Sequence, residues 1–118
     1  MIKVLLALDS PDRHELWRGL IEQEPGIELV GEVEDPIDLL VEVSRTQADA
    51  VIQEWPSEET PGFISILLTE YPDLLVVGIP GNGDHAFLCR QAISKKRLPT
   101  AGLHDVLSAI QRRVPALR

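Results

Sequence analysis

Short apolar runs and amphipathic segments alternate along the chain, and each change between them predicts a new element. Residues 2–8 form a nearly continuous apolar run, which is the pattern of a strand buried on both faces of a sheet. Residues 27–33 alternate apolar and polar positions, with the odd-numbered apolar residues on one face, as in a strand near a sheet edge. Two further short apolar runs, residues 50–52 and 74–79, predict a third and a fourth strand.

Helix-start signals separate these strands. A capping side chain precedes a proline three times, at Ser10-Pro11, Asp35-Pro36 and Thr60-Pro61. Apolar residues at helical spacing follow each signal and predict three amphipathic helices. Their predicted buried stripes are Leu16, Trp17, Leu20 and Ile21; Ile37, Leu40, Val41 and Ser44; and Phe63, Ile64, Leu67, Leu68 and Tyr71.

The order of these elements predicts the fold class. A last helix is expected where apolar residues recur three and four positions apart, at Leu103, Val106, Leu107, Ile110 and Val114. Strands that alternate with helices at these lengths form βαβ units with right-handed crossovers. We therefore expect one doubly wound α/β domain over residues 1–118, with central parallel strands and helices on both faces.

The segment between the fourth strand and the last helix admits two interpretations. Gly81-Asn82-Gly83-Asp84 is a tight-turn sequence, so residues 86–93 would return antiparallel to the fourth strand in a β-hairpin. This is the interpretation we favour. The alternative has a short helix over residues 84–93 and a rudimentary strand over residues 97–101.

Composition is that of an ordinary globular protein, with 44% hydrophobic and 25% charged residues. The longest apolar runs are far shorter than the roughly 20 residues that cross a bilayer. The first residues lack the small-residue cleavage site of a signal peptide. The single cysteine, Cys89, excludes an internal disulfide and fits a reducing compartment. We therefore expect a cytoplasmic protein without a membrane partner.

Charge is distributed unevenly along this chain, whose net charge is −8. Residues 1–89 hold 18 acidic and 4 basic residues, whereas residues 90–118 hold 7 basic residues and only Asp105 as an acid. Affinity for nucleic acid comes mainly from neutralising phosphates, so an acidic body argues against a nucleic-acid partner. The basic C-terminal quarter suggests a local surface for an acidic partner.

Several segments together resemble the response-regulator receiver family over essentially the whole chain. The resemblance rests on residues 2–11 (IKVLLALDSP), residues 20–32 (LIEQEPGIELVGE), the third strand up to Glu54, and Gly62-Phe63 beyond it. It implies a flavodoxin-like fold, here shortened after the fourth strand so that a hairpin would replace the fourth helix. It also implies two-component signalling. In receivers, acids after the first strand hold Mg²⁺ beside a phospho-accepting aspartate at the end of the third, and a hydroxyl and a lysine sense the phosphoryl group.

The residues at these positions depart from the receiver pattern. The acid pair falls on Leu8 and Asp9, the phospho-acceptor on Glu54 and the hydroxyl on Pro80, while no lysine aligns securely. Leu8 removes one carboxylate, so the resemblance implies poor Mg²⁺ affinity. Glu54 resembles a weak, fixed imitation of a phosphorylated aspartate. Each acid also has a simpler explanation: Asp9 would cap the strand end or accept backbone hydrogen bonds, and Glu54 would be a partly exposed loop carboxylate. We treat the four residues as a relic acidic pocket.

Two other patterns suggest chemistry and have simpler explanations. Residues 81–86 have the form G-x-G-x-x-A of a dinucleotide-binding turn, but they follow the fourth strand rather than the first. His85 and Cys89 lie four residues apart, yet two ligands do not make a zinc site. We therefore predict no enzymatic activity, no metal and no cofactor.

The functional hypothesis is a non-catalytic, receiver-like module that binds a protein partner. The alternatives are a receiver still phosphorylated at an acidic residue and a small nucleotide-binding domain. Trp55 follows Glu54 in a predicted loop, where it would serve as a binding anchor or as a lid on the pocket. A partner or a second copy is expected at the rebuilt C-terminal face. The basic binding candidates there are Lys95, Lys96, Arg97, Arg112 and Arg113.

Overall fold

The described part of the chain contains six strands and four helices. It comprises residues 1–9, 11–80, 85–90, 94–100 and 102–114 of a computed structural model. No helix in these residues combines the length and apolar character that a membrane crossing requires. The elements in chain order are β1 (Ile2–Ala7), α1 (Pro11–Glu22), β2 (Ile27–Val33), α2 (Pro36–Thr46), β3 (Ala50–Trp55), α3 (Phe63–Glu70), β4 (Leu75–Pro80), β5 (His85–Arg90), β6 (Ser94–Pro99) and α4 (Leu103–Arg113).

All six strands belong to one sheet, in the order β2-β1-β3-β4-β5-β6. The first four strands pair in parallel, whereas β5 is antiparallel to both β4 and β6. Parallel neighbours require a crossover connection, and α1, α2 and α3 provide one after each of the first three strands. The predicted doubly wound α/β fold is confirmed.

The sheet separates two hydrophobic cores. One lies under α1 and α4, where Trp17 and Ile110 are fully buried, and the other lies under α2 and α3, where Leu39 and Leu67 are fully buried. Because helices cover both faces of the central strands, nearly every position of β1 and β4 is apolar and buried. The predicted stripe of α4 is confirmed and includes Val114, just after the helix.

Strand β2 lies at one edge of the sheet and changes face part-way along. A shift in its register with β1 leaves one extra residue between Leu29 and Gly31. As a result Ile27 and Leu29 contact the core under α1, whereas Val33 contacts the core under α2. The edge position was predicted correctly. The single apolar face was wrong, because a bulge moves every later side chain to the opposite face.

Helix α1 buries most of its predicted stripe but not all of it. Trp17 and Ile21 are buried and Leu20 packs partly against them, whereas Leu16 is 45% exposed. His14 is buried in addition, because its Nε2 donates to the carbonyl oxygen of Leu8 at 2.8 Å. A buried polar group is tolerated when it finds such a partner. The predicted cap at Ser10 lies outside the described residues.

Helix α2 begins as predicted and buries a different stripe. The Asp35 side chain accepts a hydrogen bond from the Ile37 backbone nitrogen at 2.8 Å and caps the helix. Leu39 and Val43 are buried, whereas Ile37 and Val41 are 72% and 61% exposed. The predicted stripe through Ile37 and Val41 was wrong. This helix is apolar around more than half of its circumference, so spacing alone does not decide which stripe faces the sheet.

Helix α3 starts later than its sequence signal. Thr60 was predicted as the cap, but the residue before the helix is Gly62, which makes no side-chain capping bond. The first turn is closed by the Pro61 carbonyl, which accepts from the Ile64 backbone nitrogen at 3.1 Å. The proline therefore precedes the helix instead of forming its first residue.

Strand β5 confirms the favoured hairpin interpretation. Phe87 lies opposite Gly78 in an antiparallel ladder between β4 and β5, so the alternative helix over residues 84–93 is wrong. The predicted turn at residues 81–84 and the end of the predicted strand, residues 91–93, lie outside the described residues.

Strand β6 was missed as a full strand. It runs antiparallel to β5 along its whole length and forms the second edge of the sheet. Three consecutive basic residues hide it, because Lys95, Lys96 and Arg97 break the apolar alternation that identifies strands. Its position at an edge explains their tolerance, since charged side chains are common on edge strands.

Candidate functional site

The relic pocket lies where β1 and β3 end, at the carboxyl ends of the parallel strands. Leu8 is only 1% exposed and belongs to the core under α1. Asp9, the next residue, is exposed and makes no hydrogen bond or ion pair within the described residues. Glu54 is half-buried near the end of β3 and pairs in the sheet with Ile79. Only Asp9 is therefore left as a solvated carboxylate.

A cation from α1 holds Glu54. The Nε of Arg13 donates to Oε2 of Glu54 at 2.7 Å, and the two side chains are 37% and 27% exposed. Arg13 lies in the first turn of α1, shortly after β1, so the crossover helix brings the guanidinium to the carboxyl ends of the strands. The sequence reasoning missed Arg13. Its position four residues after Asp9, in the first turn of the predicted helix, could have indicated a cation near the pocket.

The residues present do not fit the Mg²⁺ that the receiver resemblance implies. Mg²⁺ requires hard oxygen ligands in octahedral geometry. Here Leu8 provides none, and the Glu54 carboxylate is already bound by Arg13. Within the described ranges, no group of three or more histidine, cysteine or acidic side chains converges as metal ligands would.

The reversed direction of β5 changes the rest of the pocket. Pro80 is buried at the end of β4, opposite Trp55, and provides no hydroxyl. Arg90 ends β5 opposite Leu75, at the amino end of β4. The carboxyl end of β5 therefore lies at the opposite end of the strands from Glu54. A parallel fifth strand would place its carboxyl end beside Glu54, where receivers carry their lysine.

Trp55 is a core residue and not an exposed anchor or a lid. It is 2% exposed, and its ring covers Gly78, where a Cβ would lie 2.0 Å from the nearest ring atom. The ring stacks on Phe87 with centroids 5.8 Å apart, and its Nε1 donates to Oε1 of Gln53 at 2.9 Å. The prediction of an exposed Trp55 was wrong, because the missing side chain at Gly78 leaves room for the indole.

Lys95 is partly structural. Its Nζ lies 4.3 Å from the Phe87 ring centroid and 5.4 Å from that of Trp55, within the range of cation–π attraction. The same Nζ donates to the Glu58 carbonyl at 2.8 Å. Lys95 therefore ties β6 to the loop that follows β3.

The other basic candidates divide between β6 and α4. Lys96 and Arg97 are exposed and make no hydrogen bond or ion pair in the part of the chain described. Arg112 is exposed on α4, whereas Arg113 is half-buried and its carbonyl accepts from Nη2 of Arg90 at 3.1 Å. The guanidinium groups of Arg112 and Arg113 also make no hydrogen bond or ion pair with a described residue, so the exposed free cations among these candidates are Lys96, Arg97 and Arg112.

A second charged cluster joins α1 to β2, and the sequence reasoning did not find it. Nε and Nη2 of Arg18 donate to the two carboxylate oxygens of Glu32 at 3.0 and 2.8 Å, and Nδ1 of His14 lies 2.9 Å from Oε1. These hydrogen bonds from Arg18 hold the pKa of Glu32 below its ordinary value. The cluster borders a cavity of about 340 Å³ that Pro11 and Glu34 also line.

Comparison with solved structures finds proteins that share this architecture. The isolated receiver domain of RcsB from Salmonella enterica serovar Typhimurium, with the phosphomimetic BeF3⁻, matches over 70% of this chain with a TM-score of 0.59 and 22% identity. The chain has the fold of a response-regulator receiver domain. RcsB of the same organism bound to promoter rprA matches over 70% with a TM-score of 0.60 and 23% identity. Neither a protein-family model nor a curated protein matches.

The match to the receiver fold is partial in length on both sides. This chain covers 64% of the isolated RcsB receiver domain, 71% of the promoter-bound RcsB chain and 44% of RcsB in another DNA complex. At 22–23% identity the likeness establishes the fold. A proposal about function must therefore start from the residues of the pocket and from the direction of β5, which both differ from the receiver pattern.

Proposed function

We propose that this chain is a non-catalytic, receiver-like signalling module that acts by binding a protein. The ion pair between Arg13 and Glu54 is the observation that carries the proposal. It compensates the charge at the phospho-acceptor position, and Arg13 contacts one of the oxygens that a phosphoryl donor would have to approach. The buried Leu8 removes the carboxylate that would otherwise recruit a metal ion there.

The binding surface in this proposal is the C-terminal face, formed by β6 and α4. Free cations on an edge strand favour a partner with acidic groups, because complementary charges steer encounter and set specificity. Trp55 and Lys95 support this surface from within. They connect β6 through Phe87 to β3 and to the loop after it.

Phosphorylation chemistry provides the test. The protein is incubated with acetyl phosphate and Mg²⁺, or with beryllofluoride and Mg²⁺, and followed by intact mass and by amide NMR spectra. We expect no phosphoryl adduct and no Mg²⁺-dependent shifts near Asp9 and Glu54. The variant Arg13→Ala is the informative companion, because an adduct seen only there would identify the guanidinium as the block.

A phosphoryl adduct at Glu54 of the unaltered protein would overturn the proposal and support a phosphorylated receiver instead. Calorimetric titration with ATP and NAD addresses the nucleotide-binding alternative, for which we expect no binding. Residues 85–90, which follow the glycine-rich sequence, form β5 and not a helix, so these residues provide no helix N-terminus of the kind that receives phosphates in dinucleotide sites.

A further inference from the structure

The two edges of the sheet carry opposite charges. At one edge, β6 exposes Lys96 and Arg97, followed by the half-buried Leu98 and the exposed Pro99; we call these four residues the basic edge. At the other edge, the segment from the end of β2 into α2 exposes two acids that make no hydrogen bond or ion pair within the described residues, and two large apolar side chains. We call this set the acidic edge; it consists of Glu34, Ile37, Asp38 and Val41.

The free charges of the two edges cannot neutralise one another within a molecule. Five strand spacings separate β2 from β6, which is about 24 Å and well beyond the screening length of about 8 Å at physiological salt. Neighbouring acids have partners inside the chain, since Glu32 binds Arg18 and Glu42 binds Arg45. Glu34 and Asp38 have none among the described residues. Lys96 and Arg97 of their own chain are therefore out of reach, whereas those of another molecule are not.

The acidic edge also has the shape and apolar character of a docking surface. A cavity of about 510 Å³ opens between β2 and α2, lined in part by Glu34, Asp38 and Val41. Beside it, the outward stripe of α2 leaves Ile37 72% and Val41 61% exposed. Large apolar side chains rimmed by charges typically mark an interaction site. On the basic edge, Lys96 and Arg97 project from opposite faces of β6 and so flank its outer side, while Leu98 packs partly against the core and Pro99 is exposed.

We propose that the basic edge of one copy docks on the acidic edge of a second copy, head to tail. The inference rests on the proposed function only in taking β6 as a binding surface, and it names the partner and the partner's face. The contact is one between side chains. The bulge in β2 and the lysines of β6 oppose continuous backbone pairing between copies. Because the two surfaces differ, a docked pair still has one free acidic edge and one free basic edge, so the assembly grows into short chains.

Charge reversal at each edge tests the proposal by sedimentation velocity across a concentration series. The variants are Lys96→Glu with Arg97→Glu, and Glu34→Lys with Asp38→Lys. We expect the unaltered chain to associate at low salt and to dissociate as salt rises from about 0.01 M to 1 M, over which the screening length falls from about 30 to 3 Å. Each double variant should associate at least about tenfold more weakly, because like charges then face each other. An equimolar mixture of the two should regain association, since its edges are again complementary.

The control is Glu70→Lys with Asp73→Lys, two exposed acids that lie at the end of α3 and just before β4, away from both edges. Each change to lysine adds two charges, so the control and the acidic-edge variant both move the net charge from −8 to −4. If general charge repulsion governed association, the control and the acidic-edge variant would both associate more strongly. Our proposal requires that the acidic-edge variant loses association and that the control keeps it. A monomer at every concentration, or a mixture that stays dissociated, overturns the inference. Loss of association in the basic-edge variant only would refute the acidic edge and leave the proposed function standing.

Discussion

Gly78→Ala should destabilise the protein although it adds a single methyl group. In the middle of β4, the added Cβ would lie 2.0 to 2.4 Å from three atoms of the Trp55 indole. Those atoms belong to a rigid ring held by Phe87 and Gln53, so the ring must move as a body.

The expected magnitude follows from two opposing contributions. Overpacking of a buried site typically costs about 1–3 kcal/mol, and replacing glycine by alanine recovers about 0.4–1 kcal/mol through the unfolded chain. We expect a net loss of about 2 kcal/mol in the free energy of unfolding, since the clash involves three ring atoms. The matched control is Gly19→Ala. In α1 a Cβ at Gly19 would meet nothing within 4 Å, so the same substitution should stabilise by about 0.5–1 kcal/mol.

Urea unfolding followed by far-UV circular dichroism measures both variants, and tryptophan fluorescence reports whether the indole moves. A double-mutant cycle with Trp55→Ala isolates the contact. Trp55→Ala alone should cost about 3–5 kcal/mol, but Gly78→Ala should then cost little, because the ring it strikes is gone. An equal cost of Gly78→Ala in both backgrounds, or no cost in the unaltered protein, would refute the packing of Trp55 on Gly78.

Two further predictions concern the charged clusters. Glu54→Gln should change the free energy of unfolding by no more than about 1 kcal/mol, because the Glu54 pair with Arg13 is partly solvated. A double-mutant cycle with Arg13→Met, followed by urea unfolding, measures the coupling energy of the pair. A coupling energy much larger than this would contradict a solvated pair. Glu32 has a pKa lowered by Arg18 in the folded state, so it stabilises the protein above its ordinary pKa of 4.5 and loses that contribution as pH falls through the folded value. The melting temperature of Glu32→Gln should therefore fall less steeply on acidification than that of the unaltered protein, and identical pH profiles would show that the pair contributes nothing.

The order of elements up to β4 could be predicted from the sequence because its signals are local. Apolar runs, prolines and capping side chains act within a few residues, and the cap of Asp35 on the Ile37 backbone nitrogen is such a case. Spacing within a helix was less informative. It could not choose between the two apolar stripes of α2, because the side that faces the sheet depends on where the neighbouring strands lie. The bulge in β2 was invisible for the same reason.

The candidate site depends on contacts between distant positions, and these could not be predicted. Arg13 and Glu54 meet across 41 residues, and the burial of Trp55 requires the absence of a side chain at Gly78 on the next strand. The resemblance to receivers located Leu8, Asp9, Glu54 and Pro80 at the ends of their strands. It could not supply Arg13, since the receiver pattern has a metal ion in that place and no cationic side chain.

The hairpin after β4 also changes how the chain reaches its fold. A loop and helix α3 separate β3 from β4 along the chain. In contrast, four residues separate β4 from β5, and three separate β5 from β6. The entropy lost on closing a loop grows with its length, and folding is faster when contacting residues are near in sequence. Two short connections in place of helix crossovers thus lower the contact order of the C-terminal half. The strands after β4 are therefore the ones that can find their neighbours with the shortest search.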